Sequence, residues 1–192
     1  MMQPWPKEFD WNRLTPEDRD MGHHILEVCR NRWCNGGPEP DLTISPAGTP
    51  YLYRWNVVRS MKEVRTPNVY FHVQVAHDPE RPLHDHPWDN QSVILSGGYG
   101  EVMCAEGGRP TQRNTASFRR KKGDVIWRKA DWSHRLFLPA GVPYTMTLFS
   151  TGPKSRNWGF WYDERWIPYQ EVTRVVDGES VHYKPGDVVG AY

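Results

Sequence analysis

The sequence has few cysteines, almost no net charge and no long apolar run. The three cysteines, Cys29, Cys34 and Cys104, are an odd number at spacings unsuited to a disulfide framework, so a reducing compartment, the cytoplasm, is expected. With 24 basic and 23 acidic residues the net charge is +1, which provides no overall field for nucleic acid or anionic membrane. The longest stretch without a charged side chain, residues 136–153, is interrupted by prolines and a glycine. We therefore expect neither a membrane span nor, from the polar N-terminus, a secretory signal.

Aromatic residues and turn-forming residues are plentiful instead. The chain contains 10 Trp, 9 Tyr and 6 Phe, and disordered chains lack such bulky groups. The 16 glycines and 17 prolines indicate many turns, which favour short strands over long helices. The length of 192 residues fits one domain with elaborated termini.

One helix is predicted near the N-terminus. Thr15 can cap it, Pro16 suits its first position, and Met21, Ile25 and Val28 recur at helical spacing. Glycines and a proline end the pattern about ten residues later. We assign this helix to an N-terminal segment.

After residue 50 the pattern is that of β-strands. Odd-numbered apolar residues at 69–75 alternate with Tyr70, His72 and Gln74. Further strands are predicted at residues 91–95, 99–104, 124–128, 134–138, 144–150 and 158–162. We therefore divide the chain into residues 1–50, a helix with an extended arm, and residues 51–192, a β-barrel with an aromatic C-terminal extension. The expected class is all-β, a sandwich or small barrel.

Three histidines form the most informative pattern. His84 and His86 are two residues apart, so both imidazoles project to one face if the segment is a strand. A turn follows and Gln91 opens the next strand, whereas His134 lies on a distant strand. The three can converge if the sheet folds back on itself, as in a double-sheet jelly roll. Three imidazoles with open positions suit Fe(II), Mn(II), Ni(II), Cu(II) or Zn(II).

These residues resemble the two signature motifs of the cupin superfamily over residues 69–150. The first motif is two histidines, a glutamate and a glycine, and the second runs from a glycine to a histidine eleven residues later. The matching residues are His84, His86, Gln91, Gly98, Gly123 and His134, with Gln91 in place of the glutamate. The resemblance implies a cupin double-stranded β-helix, a jelly-roll barrel, here with an N-terminal α-helix. It also implies one divalent metal held by His84, His86, His134 and Gln91.

Two roles for Gln91 stay open at this point: it binds through its amide oxygen, or it orients a histidine or a metal-bound water. In either case the protein leaves the +2 charge of the metal uncompensated, which favours an anionic or bidentate substrate. The resemblance favours a mononuclear non-haem Fe(II) dioxygenase acting on a small chelating substrate, with Zn, Ni or Mn as other metals. The alternatives are a redox-neutral lyase, isomerase or epimerase on a sugar acid, and a metal-stabilised binding module without turnover.

Strand phase adds three candidate catalytic residues. His72 is a general acid/base or a hydrogen-bonding group for the substrate, and Tyr70 shares its face. Arg54 can pair with a substrate carboxylate. For His72 and Arg54, a position on the surface is the alternative.

The expected partner is a small molecule, without nucleic acid or membrane. The basic run at residues 119–122 is interpreted as a solvated hairpin tip. Many cupins are dimers, so the resemblance allows a homodimer.

Overall fold

The computed structural model describes residues 8–30, 39–45, 49–58, 67–77, 82–104, 108–162, 165–176 and 179–182. In these ranges a 3-10 turn, Trp11–Arg13, precedes the predicted helix α1, Pro16–Arg30. The strands are β1 Leu42–Ile44, β2 Leu52–Val58, β3 Asn68–Gln74, β4 Asn90–Ser96, β5 Gly98–Cys104, β6 Thr115–Lys121, β7 Val125–Arg128, β8 Ser133–Phe137, β9 Thr145–Thr151, β10 Gly159–Tyr162, β11 Arg165–Pro168, β12 Thr173–Val176 and β13 Glu179–His182; a short helix α2, Tyr169–Val172, lies between β11 and β12. Among the described residues, no helix has the length and hydrophobicity required to cross a bilayer.

The strands form two facing layers. The larger sheet has the order β12-β13-β1-β2-β3-β9-β4-β7, and the smaller layer consists of β6-β5-β8 and β10-β11. His84 forms bridges to His134 in β8 and to Phe160 in β10, and so joins the two parts of the smaller layer. Nearly all pairings are antiparallel, as in a double-sheet jelly roll. The prediction of an all-β barrel with an N-terminal helix is confirmed.

Most predicted strands lie where the alternation of the sequence placed them, but three observed strands, β1, β6 and β11, were not among those predicted. Strand β6 was not predicted, and the basic run at residues 119–122 is not simply a hairpin tip, because its first three residues belong to β6 and pair with β5. Its Arg120 is largely buried and bonded to Glu101. Strand β1 lies within the arm assigned to residues 1–50, and it pairs with β2 in the larger sheet.

The main apolar cluster lies on the outer face of the larger sheet. Trp55, Phe71, Val73 and Met146 point to this side and are almost fully buried. Residues of α1 and of the segment before it cover them, namely Phe9, Trp11, Leu14, Met21, Ile25 and Leu26. The helix is amphipathic, so its apolar face and the sheet exclude water from each other.

A buried carboxylate fixes the helix to the sheet. Asp18 Oδ2 accepts hydrogen bonds from Ser96 Oγ and Tyr144 Oη, both at 2.6 Å. Thr15 caps the helix, as predicted, since its Oγ1 accepts the Asp18 backbone N–H at 3.2 Å.

Candidate metal centre

A cavity of about 260 Å³ lies between the two layers. The larger sheet contributes the inward-facing residues of β2, β3, β4 and β9, which alternate with the apolar residues of the outer face. Its polar wall includes Arg54, His72, Gln74, Ser92, Thr145 and Thr147. The opposite wall carries the three predicted histidines.

The structure brings His84, His86 and His134 together. Their ligand nitrogens lie within 4.8 Å of one another, and Nε2 of His86 is 2.8 Å from Nε2 of His134. The backbones of His84 and His134 exchange two hydrogen bonds, at 3.0 and 2.9 Å. Residues paired directly in this way place their side chains on the same face.

The segment from His84 to His86 is not the regular strand that was expected. Only His84 forms a bridge, and the backbone N–H of His86 donates instead to Ala130 O at 3.0 Å. The intervening Asp85 points away from the histidines and accepts hydrogen bonds from Arg156 Nη1 and from the backbone of Gly159. The imidazoles therefore converge through contacts with β8 and its preceding loop, not through strand alternation alone.

A buried carboxylate defines the tautomer of His134. Oε1 of Glu101, which is fully buried in β5, lies 2.8 Å from His134 Nδ1. Burial raises the pKa of Glu101, but the hydrogen bond with His134 and the charge of Arg128 outweigh it and hold the pKa well below its usual range. Because a carboxylate only accepts, Nδ1 of His134 carries the proton and Nε2 presents a lone pair to the other histidines. Burial and the nearby Arg128 lower the pKa of His134, so the imidazole is neutral.

Arg128 is the second fully buried charge of this region. Its Nε donates to Glu101 Oε1 at 2.6 Å. Its terminal nitrogens donate to Tyr99 Oη and Ser92 Oγ, both at 3.1 Å. Neither Glu101 nor Arg128 was selected from the sequence. The one available signal was Glu101, the sole charged residue in the otherwise uncharged run of residues 90–104.

Gln91 is not brought to the histidines. It lies opposite Trp127 of β7 and Ser150 of β9, and Trp127 is exposed on the outer face. Its neighbour Ser92 is the residue of β4 that lines the cavity. The hypothesis of Gln91 as a fourth ligand therefore has no geometric support, because strand alternation directs its side chain away from the cavity.

The predicted group of Arg54, His72 and Tyr70 lies on adjacent strands. Arg54 Nε donates to His72 Nε2 at 2.9 Å, and the guanidinium lies 4.7 Å from the centre of the Tyr70 ring. His72 also stacks on Phe149, with ring centres 5.3 Å apart. Burial, and secondarily the charge of Arg54, lower the pKa of His72 well below its usual value, so this imidazole is neutral. Arg54 and His72 line the cavity, and Tyr70 supports them from beside it.

The aromatic segment predicted near the C-terminus closes the smaller layer. Asp85 accepts hydrogen bonds from Gly159 N at 2.8 Å and from Trp166 Nε1 at 3.0 Å, which hold β10 and β11 against the histidine segment. Trp158 lines the cavity. Trp88 stacks on His86 with ring centres 4.9 Å apart and lines the cavity as well.

The three histidines fit a divalent transition metal. Two nitrogens at right angles on one metal, each at about 2.1 Å, are separated by roughly 3 Å, and the two Nε2 atoms are 2.8 Å apart. His134 is neutral, with its lone pair directed toward the others. Neutral imidazoles are common ligands of iron, zinc, copper and nickel.

No family model and no curated protein matches the chain. Among solved structures, Fe(II)-HppE with an alternative substrate is 11% identical with a TM-score of 0.44, covering 54% of this chain and 51% of that one. A cupin-like protein from Thermotoga maritima is 16% identical with a TM-score of 0.40, covering 61% and 76%. A structure of DMSP lyases is 11% identical with a TM-score of 0.41, covering 58% and 53%. The aligned part thus spans about half the length of HppE and of the DMSP lyase structure. Identities and TM-scores this low do not assign an activity to the chain.

The similarity that counts is local and geometric. Two facing antiparallel layers enclose a cavity, and histidines from the two motif positions converge on one of its walls. In its fold and in its histidine triad, the chain is similar to the cupins.

Proposed function

We propose that the protein is a metal-dependent enzyme, and more specifically a mononuclear non-haem Fe(II) dioxygenase acting on a small chelating anion. His84, His86 and His134 would hold the metal. The observation that carries this proposal is the convergence of three imidazoles on a cavity whose described lining contains no carboxylate. The net reaction adds both atoms of O₂ to the substrate, which supplies all four electrons, so no further reductant is required.

The charge of the cavity supports an anionic substrate. Among the described lining residues, the only ionic side chain other than histidine is Arg54, and none is Asp, Glu or Lys. A divalent metal held by neutral ligands therefore keeps its charge, and Arg54 contributes charge of the same sign. A carboxylate, thiolate or diketonate would neutralise this field, whereas a cation would be repelled.

The lining also favours oxygen chemistry over a redox-neutral reaction. A lyase or isomerase needs a group that accepts a proton from carbon. The lone pair of His72 accepts a hydrogen bond from Arg54, and the pKa of His72 is strongly lowered by burial. The Tyr99 hydroxyl accepts a bond from Arg128, and its pKa is raised by burial. Neither is suited to act as a base, and a dioxygenase requires none from the protein.

In this proposal, each wall of the cavity has a distinct role in binding the metal or the substrate. When bound by three histidines, Fe(II) supplies open coordination positions for a chelating substrate and for O₂. Arg54 would orient the anionic end of the substrate by charge-assisted hydrogen bonds, and His72 would act as a hydrogen-bonding group. Tyr70 holds the Arg54 guanidinium from one side. The aromatic rings of Trp88, Phe149 and Trp158 line the remaining walls and exclude water.

The test begins with elemental analysis of protein prepared without a histidine tag, anaerobically and with Fe(II) supplied. We expect near-stoichiometric iron and oxygen uptake on addition of small thiols, 2-oxo acids or diketones. His84→Ala and His134→Ala should lose both metal and oxygen uptake. The matched control is Gln91→Ala, which should retain both, because Gln91 faces away from the cavity.

Three outcomes contradict the proposal in different ways. Full metal occupancy in both histidine variants refutes the site. Zinc, nickel or manganese that iron cannot displace refutes the dioxygenase and favours the redox-neutral enzyme. Bound ligand without any product favours a binding module.

The role of Arg54 has its own test. Arg54→Met should lower kcat/KM by 10- to 100-fold, as expected for loss of a charge-assisted contact of about 1.5–3 kcal/mol. Iron content should be unchanged, because Arg54 lies on the wall opposite the histidines. Unaltered kcat/KM for every active substrate would remove Arg54 from the binding site.

A further inference from the structure

A chain of buried charges lies directly behind the candidate metal ligands. Both oxygens of Glu101 are engaged: Oε1 by His134 Nδ1 at 2.8 Å and by Arg128 Nε at 2.6 Å, and Oε2 by Arg120 Nε at 2.8 Å. Glu101 and Arg128 are fully buried. Burial of an ion pair is costly and is a weak source of stability, so its presence beside a ligand calls for a functional explanation.

We propose that Glu101 is a positioning residue that holds His134 in its metal-binding tautomer and orientation and raises the basicity of its Nε2. This inference rests on the proposed ligation of a metal by His134. Glu101 lies on the Nδ1 side of His134, whereas Nε2 faces His86, so the carboxylate acts through the ring and not as a ligand. A carboxylate behind a ligating histidine fixes the ring and raises its basicity.

Arg128 is the part of this arrangement that keeps Glu101 in place. Its guanidinium is held by Tyr99, Ser92 and, at 3.4 Å, Asn90, from strands β4 and β5. These neighbours fix the direction of the Nε–H that Glu101 accepts, so the carboxylate does not depend on solvent for its orientation. Arg120 approaches the other carboxylate oxygen from β6. The unexpected strand β6 thus contributes to the arrangement behind the metal centre.

The location of Glu101 differs from that of the glutamate in the motif. In the motif, a glutamate follows the first two histidines, but here that position faces outward on β4. The carboxylate instead comes from β5, which pairs directly with β8, the strand of His134, through Met103. The carboxylate therefore lies behind a proposed ligand and is not itself one of the ligands.

The experiment separates the charge of Glu101 from its acceptor oxygen. Glu101→Gln keeps an acceptor for His134 Nδ1–H and removes the charge, whereas Glu101→Leu removes both. Either change leaves Arg128 buried without its anion, so each is also combined with Arg128→Met, which removes the unpaired cation. Zinc affinity is measured by competition with a chromophoric chelator, and the tautomer of His134 by ¹⁵N NMR of the metal-free protein.

We expect the wild-type protein to show His134 protonated at Nδ1, and the Glu101→Gln/Arg128→Met variant to keep this tautomer. Its zinc affinity should fall 10- to 100-fold, the usual effect of removing such a partner. The Glu101→Leu/Arg128→Met variant should lose the single tautomer as well. Arg119→Met is the matched control, because it removes an exposed cation of β6 next to Arg120 and leaves Glu101 on His134. Its zinc affinity should stay within about twofold of wild type.

Zinc affinity within twofold of wild type in both folded double variants would overturn the proposal. An Nδ1–H tautomer that persists in the Glu101→Leu/Arg128→Met variant would also overturn it. If the wild-type protein binds no zinc and no iron, the proposed function fails instead. The tautomer comparison still decides whether Glu101 orients His134, because it requires no metal.

Discussion

The two faces of the larger sheet are built from the same strands but from opposite kinds of residue. On the outer face Trp55, Phe71, Val73 and Met146 are packed under α1 and are almost completely buried. On the inner face, most of the alternate residues of the same strands are polar, and they line a cavity together with the apolar Leu52 and Phe149. In most sandwiches the inner face holds the apolar core.

The apolar character of the outer face explains the role of the N-terminal helix. By covering the outer face, α1 moves a large share of the hydrophobic burial outside the barrel. The interior is then free to keep a polar cavity with a histidine triad. The comparison predicts that outer-face substitutions change stability and inner-face substitutions change binding.

The largest expected effect is on the outer face. Phe71→Ala should lower the free energy of unfolding by about 3–5 kcal/mol, since Phe71 is fully buried and its removal leaves a cavity. The matched control is Thr147→Ala on the adjacent strand, which faces the interior cavity and should change stability by less than about 1 kcal/mol. Urea denaturation measures the free energy of unfolding of both variants. Equal losses in the two would contradict the predicted difference between the outer and inner faces.

A smaller effect is expected where the helix is anchored. Asp18→Ala removes the acceptor that the buried hydroxyls of Ser96 and Tyr144 share, which should lower the free energy of unfolding by about 1–3 kcal/mol. Asp18→Asn retains an acceptor oxygen and should recover part of the loss. The stoichiometry of bound metal should not change in either variant, because Asp18 lies on the outer side. Loss of metal from folded Asp18→Asn protein would show that the two faces are coupled.

On the inner face, His72 should make stability depend on pH. Its pKa is lowered well below the value of about 6.5 expected in the unfolded chain. Below that pH the unfolded state binds a proton that the folded state does not, so the free energy of unfolding decreases as pH falls. His72 alone contributes a slope of at most about 1.4 kcal/mol per pH unit.

His72→Gln should therefore show a shallower decrease than wild type between pH 6.5 and 5. Urea denaturation at each pH, with a chelator present so that the triad is metal-free in both proteins, gives the two slopes. Equal slopes in the two proteins would mean that His72 has the same pKa in the folded and the unfolded state. That result would contradict the effect expected from its burial.

The alternation of polar and apolar residues was sufficient to predict most of the fold. The strands that carry His72, Gln91 and His134 were placed within two residues of their observed bounds. Strand β6 was missed because most of its side chains are exposed, so no apolar alternation identifies it. Edge strands held by backbone pairing to one neighbour leave little trace in a hydrophobic pattern.

The candidate site was predicted in part. The convergence of His84, His86 and His134 was inferred from motif spacing, and the structure brings them together. The phase of Gln91 with Val93 and Leu95 was recognised correctly, but that face of β4 turned out to be the outer one. A strand pattern reveals which residues share a face and not which face looks inward when both are partly buried.

The sequence by itself determined the strand periodicity, the N-terminal helix and the positions of three imidazoles, because these depend on local spacing and residue type. Only the tertiary structure decided that the apolar face of the larger sheet lies outside, and that Glu101 and Arg128 stand behind His134. Those relations join residues on different strands. They are fixed by register and by the burial of charges in pairs, which no single segment of the sequence encodes.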